Sequence, residues 1–509
     1  MISRRVVATW SLLVCGVVAL PVSAADRFDE LRQTVRAHMQ KNNVPAVAVA
    51  VWRDGKIVWE EGFGWADVEN RVPANEHTMF CLASLSKTMT ATGLMTLVQA
   101  GKIDLDHQAN DYLGPDTLTS RVGDPKAVTV RTLANHTSGL HGSDQFFYGP
   151  DVARTPPLSE TIRRYGILVA PAGERYRYSN LGYGVLGQMI QQVSGKPYDD
   201  FMRQNVFLPL GMTRSAVNIP PGLEQHHAIR YDYDRKPIPF YVSAEPASAS
   251  VYSSAHDLAK FGQFLLKNHR SDQVAILSDA SIDAMSSTPI FEGASPVRAA
   301  VKEGGYGVGL VVRYQGGYRL IGHTGSTSGV ASDFAVAPEA NMGVVVLANA
   351  DGGTGRLRTE IMSKLLPRWR DTPPSPPKQE SPFQPTPDLV GTWRGRMQTY
   401  EGEQPVQLKV LASGLVQIRI GGQPRFPNRS TVSQDALVND VKFADGTLSG
   451  SSLAQIETGD AKRGPHTTNI SFQLRGGMLK GVISANSLFD GFWKFGLPYW
   501  TELQREQDT

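Results

Sequence analysis

Residues Val44 to Trp52 form an unbroken apolar run, the polar turn Arg53-Asp54-Gly55 interrupts it, and a second apolar stretch follows from Lys56 to Trp65. Asp-Gly between two such stretches predicts a β-hairpin. Phe28 to Asn42, just upstream, reads as a helix. Much later in the chain, Gly307 to Tyr314, Tyr318 to Gly322, Ala331 to Ala337 and Met342 to Ala348 are rich in Val, Ile, Leu and Ala and are separated by Gly, Asn or Pro. They predict antiparallel strands. Between these groups lie predicted helices at Lys87 to Ala100, ending at Gly101, at Leu181 to Val193, ending at Gly195, and at Ala255 to Lys267, led by a cap at Ser254 or Ser253. Strands at both ends with helices between them predict an α+β domain whose sheet is completed by both ends of the segment.

The pattern changes after Thr372. TPPSPPKQESPFQPTP, Thr372 to Pro387, holds seven prolines, which remove backbone donors and favour an extended linker. Beyond it, Gly391 to Gln398, Val406 to Val410, Leu415 to Ile420, Asn469 to Leu474 and Met478 to Ile483 are short, several alternate apolar with polar residues, and glycines punctuate them. That predicts a small all-β barrel or sandwich. At the other end, Arg4-Arg5, the apolar run Val6 to Val22 and the small residues Ser23-Ala24-Ala25 have the anatomy of a secretory signal peptide cleaved after Ala24 or Ala25. The run is short for a membrane span and contains Pro21. The organisation read from sequence is therefore a leader at 1–25, a first domain at 26–370, a linker at 371–387 and a β-rich domain at 388–509. The protein is expected to be exported, periplasmic or secreted, without stable membrane insertion.

Composition narrows the chemistry. The 509 residues include 51 Lys plus Arg against 48 Asp plus Glu, a balance that gives no reason to expect nucleic acid. With Cys15 in the leader, Cys81 is left without an intramolecular partner and reads as a small buried hydrophobe. There is no His-Glu-x-x-His, no Cys cluster and no phosphate loop in its required context, so neither metal nor cofactor is expected. Gly325-Ser326-Thr327-Ser328-Gly329 has Thr at its centre, which excludes the Gly-x-Ser-x-Gly nucleophile elbow.

Ser84-Leu85-Ser86-Lys87 opens a predicted helix, and i to i+3 spacing places Ser84 and Lys87 a turn apart on one face. A serine hydroxyl becomes a nucleophile when a base takes its proton, and a desolvated lysine can be that base. Alone, the pattern is not diagnostic, since Ser375-Pro376-Pro377-Lys378 repeats it inside the linker. Tyr178-Ser179-Asn180, the only Tyr-x-Asn, sits between Pro171-Ala172-Gly173 and a helix start. Its phenol can shuttle a proton, and its amide can bind both a substrate carbonyl and Lys87. His323-Thr324-Gly325, also unique, follows a predicted strand. There Gly325 would let substrate backbone approach, and the Ser326 N–H could serve as an oxyanion donor opposite that of Ser84.

Taken together, these motifs resemble the penicillin-recognising serine hydrolases, which include serine β-lactamases, D-alanyl-D-alanine peptidases, D-aminopeptidases and related esterases. Leu133 to Leu140 (LANHTSGL), Pro171 to Glu174 and Ser254 to Ala259 add to the likeness, which covers roughly residues 30 to 368. It implies a β-lactamase/transpeptidase-like α+β catalytic domain. It also implies Ser84 as acylated nucleophile, Lys87 and Tyr178 as acid/base partners, and Asn180, His323, Thr324, Gly325 and Ser326 as substrate-binding residues. Related β-lactamases usually carry Lys where this chain has His323, which moves the expectation toward a peptidase, aminopeptidase or esterase. A β-lactamase and a catalytically silent peptidoglycan- or lipid-binding protein are the alternatives. The expected partner is a small-molecule or short peptide substrate, with oligomeric state left open. Gly391-Thr392-Trp393 resembles the opening of the lipocalin-like barrels that some relatives carry, a domain that could cap the cleft.

Overall fold

Along Ala46-Val47-Ala48-Val49-Ala50-Val51-Trp52, every side chain is buried, and the two parities of the strand enter different cores. Ala46, Ala48, Ala50 and Trp52 face one core, while Val47, Val49 and Val51 face the other. Burial on both faces is why the run shows no polar alternation. The computed structural model describes residues 24–288, 304–370, 382–421, 435–488 and 494–506. Residues 1–23 of the expected leader and 371–381 of the linker lie outside these. Among the described residues no helix is long and apolar enough to cross a membrane.

The strand Ala46–Arg53 pairs on one side with Lys56–Asp67, forming the hairpin expected at Asp54-Gly55, and on the other with Met342–Ala348. The sheet continues through Val330–Ala337, Tyr318–Thr327, Val311–Gln315 and Gly304–Tyr306, all antiparallel. Both ends of the domain thus complete one sheet, as the sequence predicts. The helices Ser86–Gln99 and Ala255–Leu265 pack on the alanine face, and Ala24–Lys41 and Thr354–Leu365 cover the valine face. Ser254 is the cap of the Ala255 helix, its Oγ accepting from the Asp257 N–H at 3.1 Å.

In this sheet, two strands differ from their expected bounds by more than two residues. The segment expected as Gly307 to Tyr314 splits into Gly304–Tyr306 and Val311–Gln315. Gly309, at φ +74°, turns between them, and a Cβ there would lie 2.3 Å from Ala91 Cβ on the Ser86–Gln99 helix. The glycine permits both the turn and the close packing. Tyr318 to Gly322 extends to Thr327, so the His-Thr-Gly motif lies within a strand and does not follow one.

The C-terminal part is a closed barrel of eight antiparallel strands: Gly391–Thr399, Gly402–Val410, Val416–Ile420, Ala436–Ala444, Thr447–Ser452, His466–Arg475, Met478–Ser487 and Phe495–Arg505. The first and last pair along Trp393↔Arg505 to Gln398↔Trp500, which removes both edges. Trp393, Leu408, Ile418, Leu448, Phe472 and Leu503 are buried in its interior, and the Trp393 indole donates to the Leu389 carbonyl at 2.9 Å.

The barrel joins the first domain through its last strand. Phe495 and Gly496 pair with Gln145 and Asp144 of the strand Asp144–Tyr148, which pairs in turn with Tyr241–Ser243. Arg475 binds Glu174 at 2.5 and 2.8 Å, and Asp460 accepts from Arg164 at 2.9 Å and from the Tyr165 hydroxyl at 2.6 Å.

Candidate active site

Ser84 sits in a single 3-10 turn, Ala83–Leu85, between the short strand Phe80–Cys81 and the helix Ser86–Gln99. Ala83 takes φ +46°, a left-handed conformation that L residues rarely adopt and that is often found where a reactive side chain is presented. Ser84 is consequently half-buried, whereas Lys87, one turn on, is wholly buried. Its Nζ lies 3.2 Å from Ser84 Oγ, 2.7 Å from Asn180 Oδ1 and 2.9 Å from the Ser248 carbonyl. Burial lowers the Lys87 ammonium to about 7, with Asp144 and Glu245 opposing the shift. In the neutral amine, two N–H bonds suffice for Asn180 and Ser248. The lone pair is then free for the Ser84 hydroxyl proton.

Tyr178 shares a hydrogen bond with Ser84, and burial pushes its phenol up, so it stays protonated at neutral pH. Its ring lies 4.8 Å from Lys87 Nζ and 4.3 Å from the His136 ring. Buried His136, in the LANHTSGL segment, accepts the Ser179 N–H on Nδ1 at 3.1 Å. Ser179 in turn caps the Asn180–Ser194 helix, its Oγ accepting from the Gly182 N–H at 3.0 Å. One capped helix start thus holds the Tyr178-Ser179-Asn180 triplet in place.

On the strand Tyr318–Thr327, side-chain alternation divides the third motif. His323 faces the nucleophile side: its Nε2 is 2.8 Å from the Tyr306 hydroxyl and its Nδ1 is 2.5 Å from the Thr324 carbonyl. A carbonyl only accepts, so Nδ1 carries the hydrogen and Nε2 accepts from Tyr306. Burial, with Lys87 adding to it, lowers His323 to about 3, leaving a neutral imidazole. Thr324 points to the opposite face, into a cavity of about 660 Å³ with Arg313, Asp333 and Arg358. The structure therefore does not bring the Thr324 side chain to Ser84. Ser326 has the same parity, and only its backbone runs beside the serine turn.

Gly325 is packed by the protein itself. A Cβ there would lie 2.0 Å from the Leu82 carbonyl and 2.5 Å from Ser332 Oγ, which itself donates to Leu82 O at 2.8 Å. The glycine thus lets the strand lie against the turn that presents Ser84, and the close neighbour on its Cβ side is Leu82. Gly325→Val is expected to destabilise the fold by about 3 kcal/mol through overpacking against backbone. Denaturant unfolding measures it, and an unchanged midpoint would show that this contact is dispensable.

Sequence reading missed four contributors: the Ser248 carbonyl, Tyr306, Glu245 and Asp144. Glu245 is fully buried and, with Asp144 adding to the burial effect, is raised to about 8. Asp144 begins the strand paired to the barrel, and burial pushes its carboxyl up too. Neither acid belongs to a motif, since each reaches the site through tertiary packing; the only sequence signal was that Asp144 follows LANHTSGL closely. Cys81 is buried, as expected for a small hydrophobe.

A sequence profile described as Beta-lactamase matches residues 31–366. The chain belongs to the beta-lactamase family. Members of this family are serine hydrolases. Protein flp of Staphylococcus aureus (strain N315) is 25% identical over 347 residues, 67% of this chain and 65% of that protein. The chain thus spans less than two thirds of that relative's length. Among solved structures, SurE with D-Leu has a TM-score of 0.61 at 21% identity, covering 94% of this chain and 100% of that one. A class C β-lactamase has a TM-score of 0.57 at 22% identity, covering 68% and 98%. These likenesses show the fold, and the first of them extends over the barrel as well.

Proposed function

We propose that this beta-lactamase family member is a hydrolase that cleaves an amide or ester through an acyl-Ser84 intermediate, as a peptidase, aminopeptidase or esterase. One observation carries the reading: a fully buried lysine, lowered to about 7, lies 3.2 Å from the hydroxyl of a half-buried serine. Neutral Lys87 takes the Ser84 proton as Oγ bonds to the scissile carbonyl carbon. The N–H groups of Ser84 and Ser326 receive the oxyanion. As the tetrahedral intermediate collapses, the Tyr178 hydroxyl gives its proton to the departing nitrogen or oxygen, and Lys87 reprotonates Tyr178. Water then attacks the acyl carbon while the same pair accepts its proton. Oγ leaves with a proton, so that one water is consumed for each bond cleaved.

Neutral His323 disfavours the β-lactam alternative, because it supplies no cation to hold a substrate carboxylate. A panel of p-nitrophenyl acetate, amino-acid p-nitroanilides, D-alanyl dipeptides and a chromogenic cephalosporin tests the reading. Esters or amides are expected to be turned over, with kcat/KM for the cephalosporin lower by about 100-fold for want of a charged hydrogen bond. Cephalosporin turnover matching the best ester would establish the β-lactamase instead. Ligand binding without any acyl-enzyme would establish the silent binding protein.

A further inference from the structure

At the start of the strand Asp144–Tyr148, where it pairs with the barrel, stands a carboxylate to which the mechanism assigns no task. Asp144 accepts no side-chain hydrogen bond and makes no ion pair within 4.0 Å among the described residues, and the residue is half-buried. It is nonetheless close enough to Lys87 and Tyr178 for its charge to act on both. The barrel leaves room for it: opposite Asp144 stands Gly496, where a Cβ would lie 2.7 Å from Asp144 Oδ1. We propose that Asp144 is a specificity-determining residue that receives a free ammonium group carried by the substrate close to the scissile bond.

The surrounding charges fit a cationic ligand. Lys87 directs its hydrogen bonds to Asn180, Ser248 and Ser84, leaving Asp144 without an ion-pair partner on that side. Lys494, at the barrel's edge, feels the Asp144 charge but directs its ammonium to Thr327 Oγ1 at 3.4 Å. Glu245, facing Asp144 from the Tyr241 side, is buried and carries its proton at neutral pH, so it neither competes for a cation nor repels an anion. His323 is neutral. An ammonium therefore meets a carboxylate that has no side-chain partner, whereas a carboxylate placed there would meet a like charge. Pairing would also cancel the pull of Asp144 on the Lys87 proton and favour the basic amine when substrate is bound.

The inference rests on the hydrolase reading and is tested separately from it. Hydrolysis of p-nitrophenyl acetate, which has no ammonium, reports the serine; alaninamide of either hand and its N-acetyl derivative serve as competitors. In the wild type, the free amide of at least one hand is expected to inhibit about 10- to 100-fold more strongly than its acetylated form. Asp144→Asn is expected to bring that ratio towards one, and Asp144→Glu to restore it in part. Because the ratio compares two ligands on one protein, a general loss of activity does not mimic the effect. Equal inhibition by both forms in the wild type, or a ratio unchanged in Asp144→Asn, overturns the inference. Should Asp144→Asn fail to fold, the wild-type ratio decides alone. Absence of ester hydrolysis in the wild type would overturn the hydrolase reading itself, and the Asp144 assignment with it.

Discussion

Ser84→Ala is expected to lower kcat/KM by at least about 10⁴-fold, the scale on which removal of an acylated nucleophile acts, while leaving the melting temperature nearly unchanged. The two halves of that expectation come from different parts of the geometry. Chemically, Oγ is the atom that meets both Lys87 and Tyr178, so no other hydroxyl can take its place. Structurally, Ser84 is half-buried and its turn is set by Ala83 and by the Leu85 N–H on the Leu82 carbonyl at 3.2 Å, neither of which uses the serine side chain. Lys87 keeps Asn180 and Ser248 when the hydroxyl is gone. Steady-state kinetics beside thermal unfolding separates the effects. A large loss of stability would mean that Ser84 is part of the scaffold.

Lys87→Met is expected to lower kcat/KM by about 10² to 10⁴-fold, the range of a general base, and to change the shape of the pH profile. The sign follows from the direction of the shift. Lys87 is lowered to about 7, so below that pH it holds its proton and cannot accept one from Ser84. In the wild type kcat/KM therefore rises with pH, about tenfold per unit below 7, and levels off above it. Methionine occupies similar space without titrating, and whatever activity remains should lose that limb. It also leaves the Asn180 carbonyl and the Ser248 carbonyl without their donor, a cost of about 1 to 3 kcal/mol for each buried group left unpaired, offset by relief of the buried amine. A pH-rate profile of the two proteins decides. An identical rising limb in Lys87→Met would assign the titration to another group.

Much of this site was legible in the chain because its motifs lie on elements with strong local signals. The Ser84 to Lys87 spacing on a helix start, and Tyr178-Ser179-Asn180 before a capped helix, place their side chains through short-range geometry. The sheet was legible for a similar reason, since unbroken apolar runs such as Val44 to Trp52 and Met342 to Ala348 are buried on both faces. The His-Thr-Gly motif was read as following a strand. Once it is a strand, neighbours must point to opposite faces, and Thr324 leaves the cleft.

Other elements carried no local signal. Ala436–Ala444 buries only Val438 and exposes Leu437, and Thr447–Ser452 holds Leu448 as its one large apolar residue, so their apolar alternation is weak. Phe495–Arg505 is buried along most of its length and contains Pro498, which argues against a central strand until the partner Ser484 is known. Asp144 and Glu245 reach Lys87 only because the barrel, the Asp144–Tyr148 strand and the Tyr241–Ser243 strand form one continuous sheet. Pairing between residues 350 positions apart is set by tertiary packing, and neither periodicity nor spacing announces it.

The acyl-enzyme itself is the most direct test of the account. Purified protein is mixed with a slowly released p-nitrophenyl ester, quenched in acid, and weighed intact and after digestion by mass spectrometry. A single acyl group per chain on the peptide holding Ser84, absent from Ser84→Ala and formed far more slowly in Lys87→Met, is the predicted result. An adduct on another residue, or hydrolysis that persists in Ser84→Ala with no adduct at all, would contradict it.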